Sequence, residues 1–133
     1  MIKNNKVHQT VTWSDYLKSG NRIFIGSHAA VPNALIEDLI ANSSTLHDIE
    51  VVHVFTLSNN VWAEPKHQDL FKVNAFFIGG KNIREAISEG RADYTPCFIS
   101  EIPKLFDNNI LPLDVALIMV SPPDEYGYCS LGV

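Results

Sequence analysis

Three short stretches carry residue types suited to chemistry. The first is Gly26-Ser27-His28-Ala29-Ala30-Val31-Pro32. It follows an apolar run and precedes a helical pattern, where small residues let a ligand reach the backbone and free amides attract anions. It is not a GxGxxG fingerprint, because His28 and Val31 stand where glycines would be needed. The spacing fits either a contact with a phosphate or carboxylate, or an ordinary tight turn. The second is Gly79-Gly80-Lys81-Asn82-Ile83-Arg84-Glu85, with two cations at a helix start. It reads as an anion site or, preferably, as a solvated helix face. The third is Ser121-Pro122-Pro123-Asp124-Glu125-Tyr126-Gly127-Tyr128. Its prolines stiffen the exit from an apolar run, and its aromatic turn suits either an active-site wall or a structural corner. Asp124 and Glu125 are consecutive, so they point apart and make no carboxylate pair.

Other candidates are weaker. His28 has an acid–base side chain but no evident partner, and His53 alternates inside an apolar run and is expected to be packed. The five histidines show no metal-ligand spacing, so no metal is expected. Cys97 and Cys129 form no CxxC and sit among apolar residues, which points to reduced, mostly buried thiols.

The elements that must position these stretches follow from periodicity. Thr12 with Asp15 resembles a capping box opening a short helix through Lys18, stopped at Gly20. Residues 22–26 (RIFIG), 50–57 (EVVHVFTL), 73–78 (VNAFFI) and 113–120 (LDVALIMV) read as strands, the last one buried. Residues 93–99 contain Pro96 and are expected to be an edge or end strand. Pro32 fits the first position of a helix reaching Asn42, a second helix carries Ile83, Ala86 and Ile87 up to Gly90, and Ser100 is expected to cap a third that ends at Asn108-Asn109. Residues 58–69 read as a loop. Near-continuous apolar strands alternating with helices predict an α/β fold, an open and mostly parallel sheet with helices on both faces. Ligands of such sheets bind beyond the carboxyl ends of the strands, which directs attention to the loops after Gly26, Thr56, Ile78 and Val120.

Composition bounds the rest. The 133 residues are 46% hydrophobic, enough for one core, and no internal repeat or linker divides them. The ten basic residues are scattered in a chain of net charge −5, so a nucleic-acid surface is not expected. No apolar stretch reaches the roughly 18 residues of a membrane span. The first residues, MIKNNKVHQTVTW, lack an apolar leader, so a cytoplasmic location is the expectation.

Several blocks, in order, resemble the acetyl-CoA hydrolase/transferase family, which includes acetate, butyrate and 4-hydroxybutyrate CoA-transferases. SPPDEYGYCSLG (121–132) is similar to that family's signature loop, and NIREAISEGRADYTPCFISEIPKLF (82–106) to its helix-strand-helix block. RIFIGSHAAVPNALIEDL (22–39), EVVHVFTL (50–57) and LPLDVALIMVSPPDEYGYCSLG (111–132) extend the likeness over nearly the whole chain. The resemblance implies the CoA-transferase type of Rossmann-like domain, truncated, with residues 1–133 as an incomplete N-terminal domain and a second domain beyond them. It implies exchange of CoA between an acyl-CoA and a small carboxylate through a glutamyl-CoA thioester. The attacking glutamate belongs to the family's second half, so Glu85, Glu101 and Glu125 receive no role and no catalytic residue is assigned here. CoA is then a substrate and no permanently bound cofactor is implied; the partners are acyl-CoA, a small carboxylate, the second domain and a further copy of the chain. Position at strand ends assigns the pocket wall to Gly26, Ser27, Thr56 and the 121–128 loop, with Ser121, Pro122, Asp124 and Tyr128 as its contacts. A non-catalytic ligand-binding or regulatory module of the same fold is the alternative.

Overall fold

A computed structural model describes residues 11–56 and 59–131. Eight regular elements run in chain order: β1 Arg22–Ile25, α1 Asn33–Asn42, β2 Ile49–His53, β3 Phe71–Ala75, α2 Lys81–Ser88, β4 Ala92–Tyr94, α3 Ile102–Asp107 and β5 Val115–Leu117. The five strands form one sheet of order β4-β3-β2-β1-β5, and every pairing is parallel. The expected α/β architecture is therefore present.

The order explains where the helices lie. Stepping from β1 through β2 and β3 to β4 in one direction, right-handed crossovers place their helices on one face. The return from β4 to β5 reverses direction and places α3 on the other. The two cores agree. Ile36 and Leu39 of α1 and Ile83 and Ala86 of α2 pack with Ile23, Ile25, Ile49, Val51, Val73 and Ala75 on one face. Ile102, Leu105 and Phe106 of α3 pack with Phe24, Val52 and Phe76 on the other. Phe106 meets Phe24 and Phe76 edge-on, at 6.0 and 5.9 Å between ring centroids.

Several expected boundaries move. No α-helix spans residues 12–18: Trp13–Asp15 is a single 3-10 turn, and the Thr12 side chain makes no cap bond. Tertiary contact overrides the local signal, because Trp13 and Leu17 are buried and the Trp13 indole donates to Asp38 Oδ2 at 2.8 Å. Pro32 is the N-cap of α1 rather than its first residue. The loop expected at 58–69 contains two 3-10 turns, Val61–Ala63 and Pro65–His67, and buries Trp62. β3 begins and ends earlier than 73–78, leaving Phe77 and Ile78 exposed at its exit. Ser100 does not cap α3; it lies inside the 3-10 turn Ile99–Glu101, which runs directly into the helix. The short β4 does lie at a sheet edge.

The expected buried strand at 113–120 is also corrected. β5 is three residues long and forms the other edge of the sheet, so no strand among the described residues covers its outer side. Leu117 is buried, but Ile118, Met119 and Val120 beyond it are exposed. Among the described residues no helix is long and apolar enough to cross a membrane.

Candidate functional site

The chain leaves β1 for β2 on one side and meets β5 on the other, so the fold reverses direction at β1. In open parallel sheets the ligand crevice forms at such a point. The loop after β1 is built for close approach. Gly26 N donates to Leu117 O at 2.9 Å, tying β1 to β5 at their carboxyl ends. A Cβ on Gly26 would stand 2.7 Å from Ala30 O and 3.5 Å from Leu117 O, so only glycine fits this turn. Ser27 Oγ accepts from Val54 N at 3.3 Å, and His28 N donates to Phe55 O at 2.6 Å. His28 also pairs with Thr56 in an isolated parallel bridge. This explains why β2 stops at His53 instead of reaching Leu57: past that point its backbone pairs with the loop after β1. Leu57 itself lies outside the described residues, as do residues 132 and 133 of the final apolar run.

A second set of contacts fastens β2 to β3. The buried Thr56 hydroxyl donates to Asn60 Oδ1, and Asn60 is itself buried with φ near 50°. Asn82 Nδ2 donates to Asn59 O at 2.6 Å, holding this loop to the start of α2. A Cβ on Gly79 would lie 2.2 Å from the Phe55 ring. That absence of a side chain lets Phe55 lie across the turn after β3, edge-on to Phe77 at 5.5 Å.

These contacts border an open cavity of about 300 Å³ at the carboxyl ends of the strands, lined by His28, Val54, Phe55, Phe77 and Ile99. Four of the five are apolar, and none is a carboxylate. The His28 ring leans on Phe55 at 5.3 Å. The cavity suits a short hydrocarbon chain, and Gly26 and Ser27 stand in the loop that leads to it.

Of the residues expected to contact substrate, Gly26, Ser27 and Thr56 lie in the segments that carry His28, Val54 and Phe55, but none of the three lines the cavity, and Thr56 is buried. Ser121, Pro122, Asp124 and Tyr128 lie elsewhere, in a hairpin after β5, and none lines it. Ser121 N donates to Ser130 O at 2.9 Å and Ser130 N to Ser121 Oγ at 2.8 Å, closing the arms. At the tip, Asp124 Oδ1 accepts from Tyr126 N and Tyr128 N, each at 2.9 Å. The Asp124 carboxylate thus holds the turn, while Tyr126 and Tyr128 project into solvent. Val54, Phe55 and Phe77 were not legible as cavity walls, because they read as strand interior. The usable signal was the Gly79-Gly80 pair behind two aromatics, which permits a bulky ring to cross the turn.

The remaining candidates separate cleanly. Lys81 is largely exposed and pairs with Glu85 at 3.6 Å, as a solvated helix face would. His53 is buried against Trp62, at 5.8 Å between centroids, and burial pushes its pKa down from 6.5 to about 4. Its two ring nitrogens and Trp62 Nε1 have no hydrogen-bond partner among the described residues. Both cysteines are free. Cys97 is half-buried, and burial together with Glu101 raises its pKa. Cys129 is exposed, contrary to the expectation of a buried thiol, because it rides on the hairpin and not in the core. No group of three or more His, Cys, Asp or Glu side chains among the described residues is placed to hold a metal ion.

The chain is similar to known proteins in sequence and in fold. The chain is 41% identical over 117 residues to a 4-hydroxybutyrate coenzyme A transferase of Clostridium kluyveri, covering 88% of this chain and 27% of that protein. It is 45% identical over 119 residues to a succinyl-CoA:acetate/propanoyl-CoA:succinate CoA transferase of Fasciola hepatica, covering 88% and 24%. The chain thus spans about a quarter of the length of these curated relatives. Among solved structures, RipA from Yersinia pestis superposes with a TM-score of 0.75 at 28% identity, covering 88% of this chain and 29% of that one. A 4-hydroxybutyrate CoA-transferase from Porphyromonas gingivalis superposes with a TM-score of 0.67 at 28% identity, covering 91% and 26%. The profile of the acetyl-CoA hydrolase/transferase N-terminal domain matches residues 4–133, and with the parallel sheet, the strand-end cavity and these relatives it shows that the chain belongs to the acetyl-CoA hydrolase/transferase family.

Proposed function

We propose that this chain is the N-terminal part of an enzyme that moves CoA between an acyl-CoA and a small carboxylate. The carrying observation is the apolar cavity at the carboxyl ends of β1, β2 and β3, found in a chain whose relatives are named as CoA-transferases. In this reading the cavity receives the acyl chain, with its reacting carbonyl toward the Gly26–Ser27 turn. Ser27, Thr56 and the hairpin residues Ser121, Pro122, Asp124 and Tyr128 shape the approach to it.

The nucleophile comes from outside this chain. A glutamate carboxylate attacks the thioester carbonyl and expels CoA thiolate, leaving an acyl-glutamyl anhydride. The thiolate attacks the glutamyl carbonyl of that anhydride, releasing the first carboxylate and forming a glutamyl-CoA thioester. The acceptor carboxylate then reverses both steps. The covalent link conserves the thioester's free energy while the carboxylates exchange. Water in place of the acceptor gives hydrolysis. The absence of a carboxylate from the cavity lining supports a nucleophile supplied from elsewhere.

The test is an intact-mass measurement on the full-length protein after brief exposure to acetyl-CoA. The reading predicts a gain equal to CoA less one water, removed by hydroxylamine or by added acetate. An unchanged mass, with no exchange of isotopically labelled acetate into acetyl-CoA, would favour a non-catalytic ligand-binding module.

A further inference from the structure

Asn60 is 1% exposed and sits at φ 50°, in the left-handed region that asparagine tolerates better than most residues. Its backbone starts the turn that follows, because Ala63 N donates to Asn60 O at 2.9 Å. Its neighbour Asn59 is tied to the start of α2, since Asn59 O accepts from Asn82 Nδ2. The loop therefore fixes where the Asn60 side chain goes. That side chain reaches two other segments. Its Oδ1 accepts from the buried Thr56 hydroxyl, and its Nδ2 lies only 2.5 Å from where a Cβ on Gly80 would stand. Thr56 directly follows Phe55, and Gly80 directly follows Gly79, whose bare backbone lies against the Phe55 ring. The carboxamide thus spans the residues next to both partners of the contact that sets Phe55 edge-on to Phe77. Asn60 does not line the cavity. It grips the chain on both sides of the aromatic wall and so fixes where that wall stands. A misplacement of about 1 Å, caused by a change remote from the chemistry, costs up to roughly 100-fold in rate.

Resting on the function proposed above, we infer that Asn60 is a positioning residue for acyl transfer: through Thr56 and Gly80 it holds Phe55 and Phe77 where they orient the methylenes of the acyl group. An acetyl group ends at the carbon next to its carbonyl and needs little of this wall. A butyryl group extends further and depends on it.

The experiment compares butyryl-CoA with acetyl-CoA as donors to the full-length enzyme, with isotopically labelled acetate as the common acceptor and labelled acetyl-CoA as the product. The readout is the ratio of kcat/KM for the two donors, which does not depend on how much enzyme is folded. Asn60→Gly keeps the left-handed backbone at ease and removes the carboxamide. It should lower the butyryl-to-acetyl ratio by about 10-fold. Asn60→Asp keeps an oxygen to accept from Thr56 and should retain most of the wild-type ratio. Thr56→Val removes the donor of the same bond without touching the left-handed backbone, so it reads the coupling even where Asn60→Gly yields no folded enzyme. It should lower the ratio in the same direction, and the double variant should fall no further than Asn60→Gly alone. Equal losses for both donors would leave the ratio unchanged; that result, a raised ratio, or an Asn60→Asp ratio as low as that of Asn60→Gly would overturn the positioning role while leaving CoA transfer standing. Additive falls in the double variant would overturn the route through Thr56. No transfer from either donor in the wild type would overturn the inference together with the function it rests on.

Discussion

At the scale of single residues, two positions carry sharp expectations. His53 is neutral in the folded chain, with a pKa near 4 against 6.5 when unfolded. Between those values the unfolded state binds more protons, so stability is complete above pH 6.5 and falls as pH drops toward 4. The full loss is about 3 kcal/mol. Replacing His53 with Leu should remove this component, so that urea midpoints of the variant vary less between pH 7.5 and pH 4.5 than those of the wild type; parallel pH profiles would contradict the assignment. Gly79 is the second. A Cβ there overlaps the Phe55 ring, which must swing away from Phe77 and open the cavity wall. Gly79→Ala should destabilise the fold by about 1–3 kcal/mol. It should also weaken acyl-CoA binding in the full-length protein, measured by calorimetry. A variant that is less stable yet binds as tightly as the wild type would separate Phe55 from the site.

At the scale of elements, the hairpin after β5 depends on one carboxylate. Asp124 Oδ1 accepts two backbone amides at the tip, while Ser121 and Ser130 close the arms. Asp124→Ala should raise amide hydrogen exchange at Tyr126 and Tyr128 by about 10-fold, in line with losing bonds of roughly 1.5 kcal/mol. The sheet core should exchange as before, since no strand of the sheet depends on this turn. Uniform exchange changes across the sheet would contradict a local role. The elements also show what could be read from the sequence. Continuous apolar runs announced the strands, and their alternation with helices announced a parallel sheet. Where each strand stops was not legible, because pairing length is set by neighbours. β2 ends where Val54 and Phe55 turn to the Gly26–His28 loop, and nothing local to residues 50–57 says so. The strand-end location of the site followed from fold class. Its hydrophobic wall did not, because Phe55 and Phe77 become neighbours only through a turn that Gly79 permits.

At the scale of the molecule, the sheet is unevenly finished. Among the described residues, one face is covered by α1, α2 and the 3-10 turns at Trp13–Asp15 and Val61–Ala63, the other by α3 with Cys97, Leu111 and Leu113. The β5 edge continues into the exposed Ile118, Met119 and Val120, and Phe98, Ile99, Tyr126, Tyr128 and Leu131 are also mostly exposed. Apolar surface of this extent beside an open strand edge favours association. A polypeptide of residues 1–133 alone should therefore self-associate at micromolar concentration in sedimentation velocity, and Met119→Lys with Val120→Lys should restore a monomer. A monomeric wild-type polypeptide would show that this surface is tolerated in water.

In the proposed function the acyl chain lies at the carboxyl ends of β1, β2 and β3. Photolabelling of the full-length protein with a short acyl-CoA bearing a diazirine at its distal carbon, followed by peptide mapping, tests it most directly. The account predicts label on His28, Val54, Phe55, Phe77 or Ile99, competed away by unlabelled acyl-CoA. Label confined to the separate cleft lined by Trp13, Tyr16, Leu35 and Val115, or to residues outside this chain altogether, would overturn that placement.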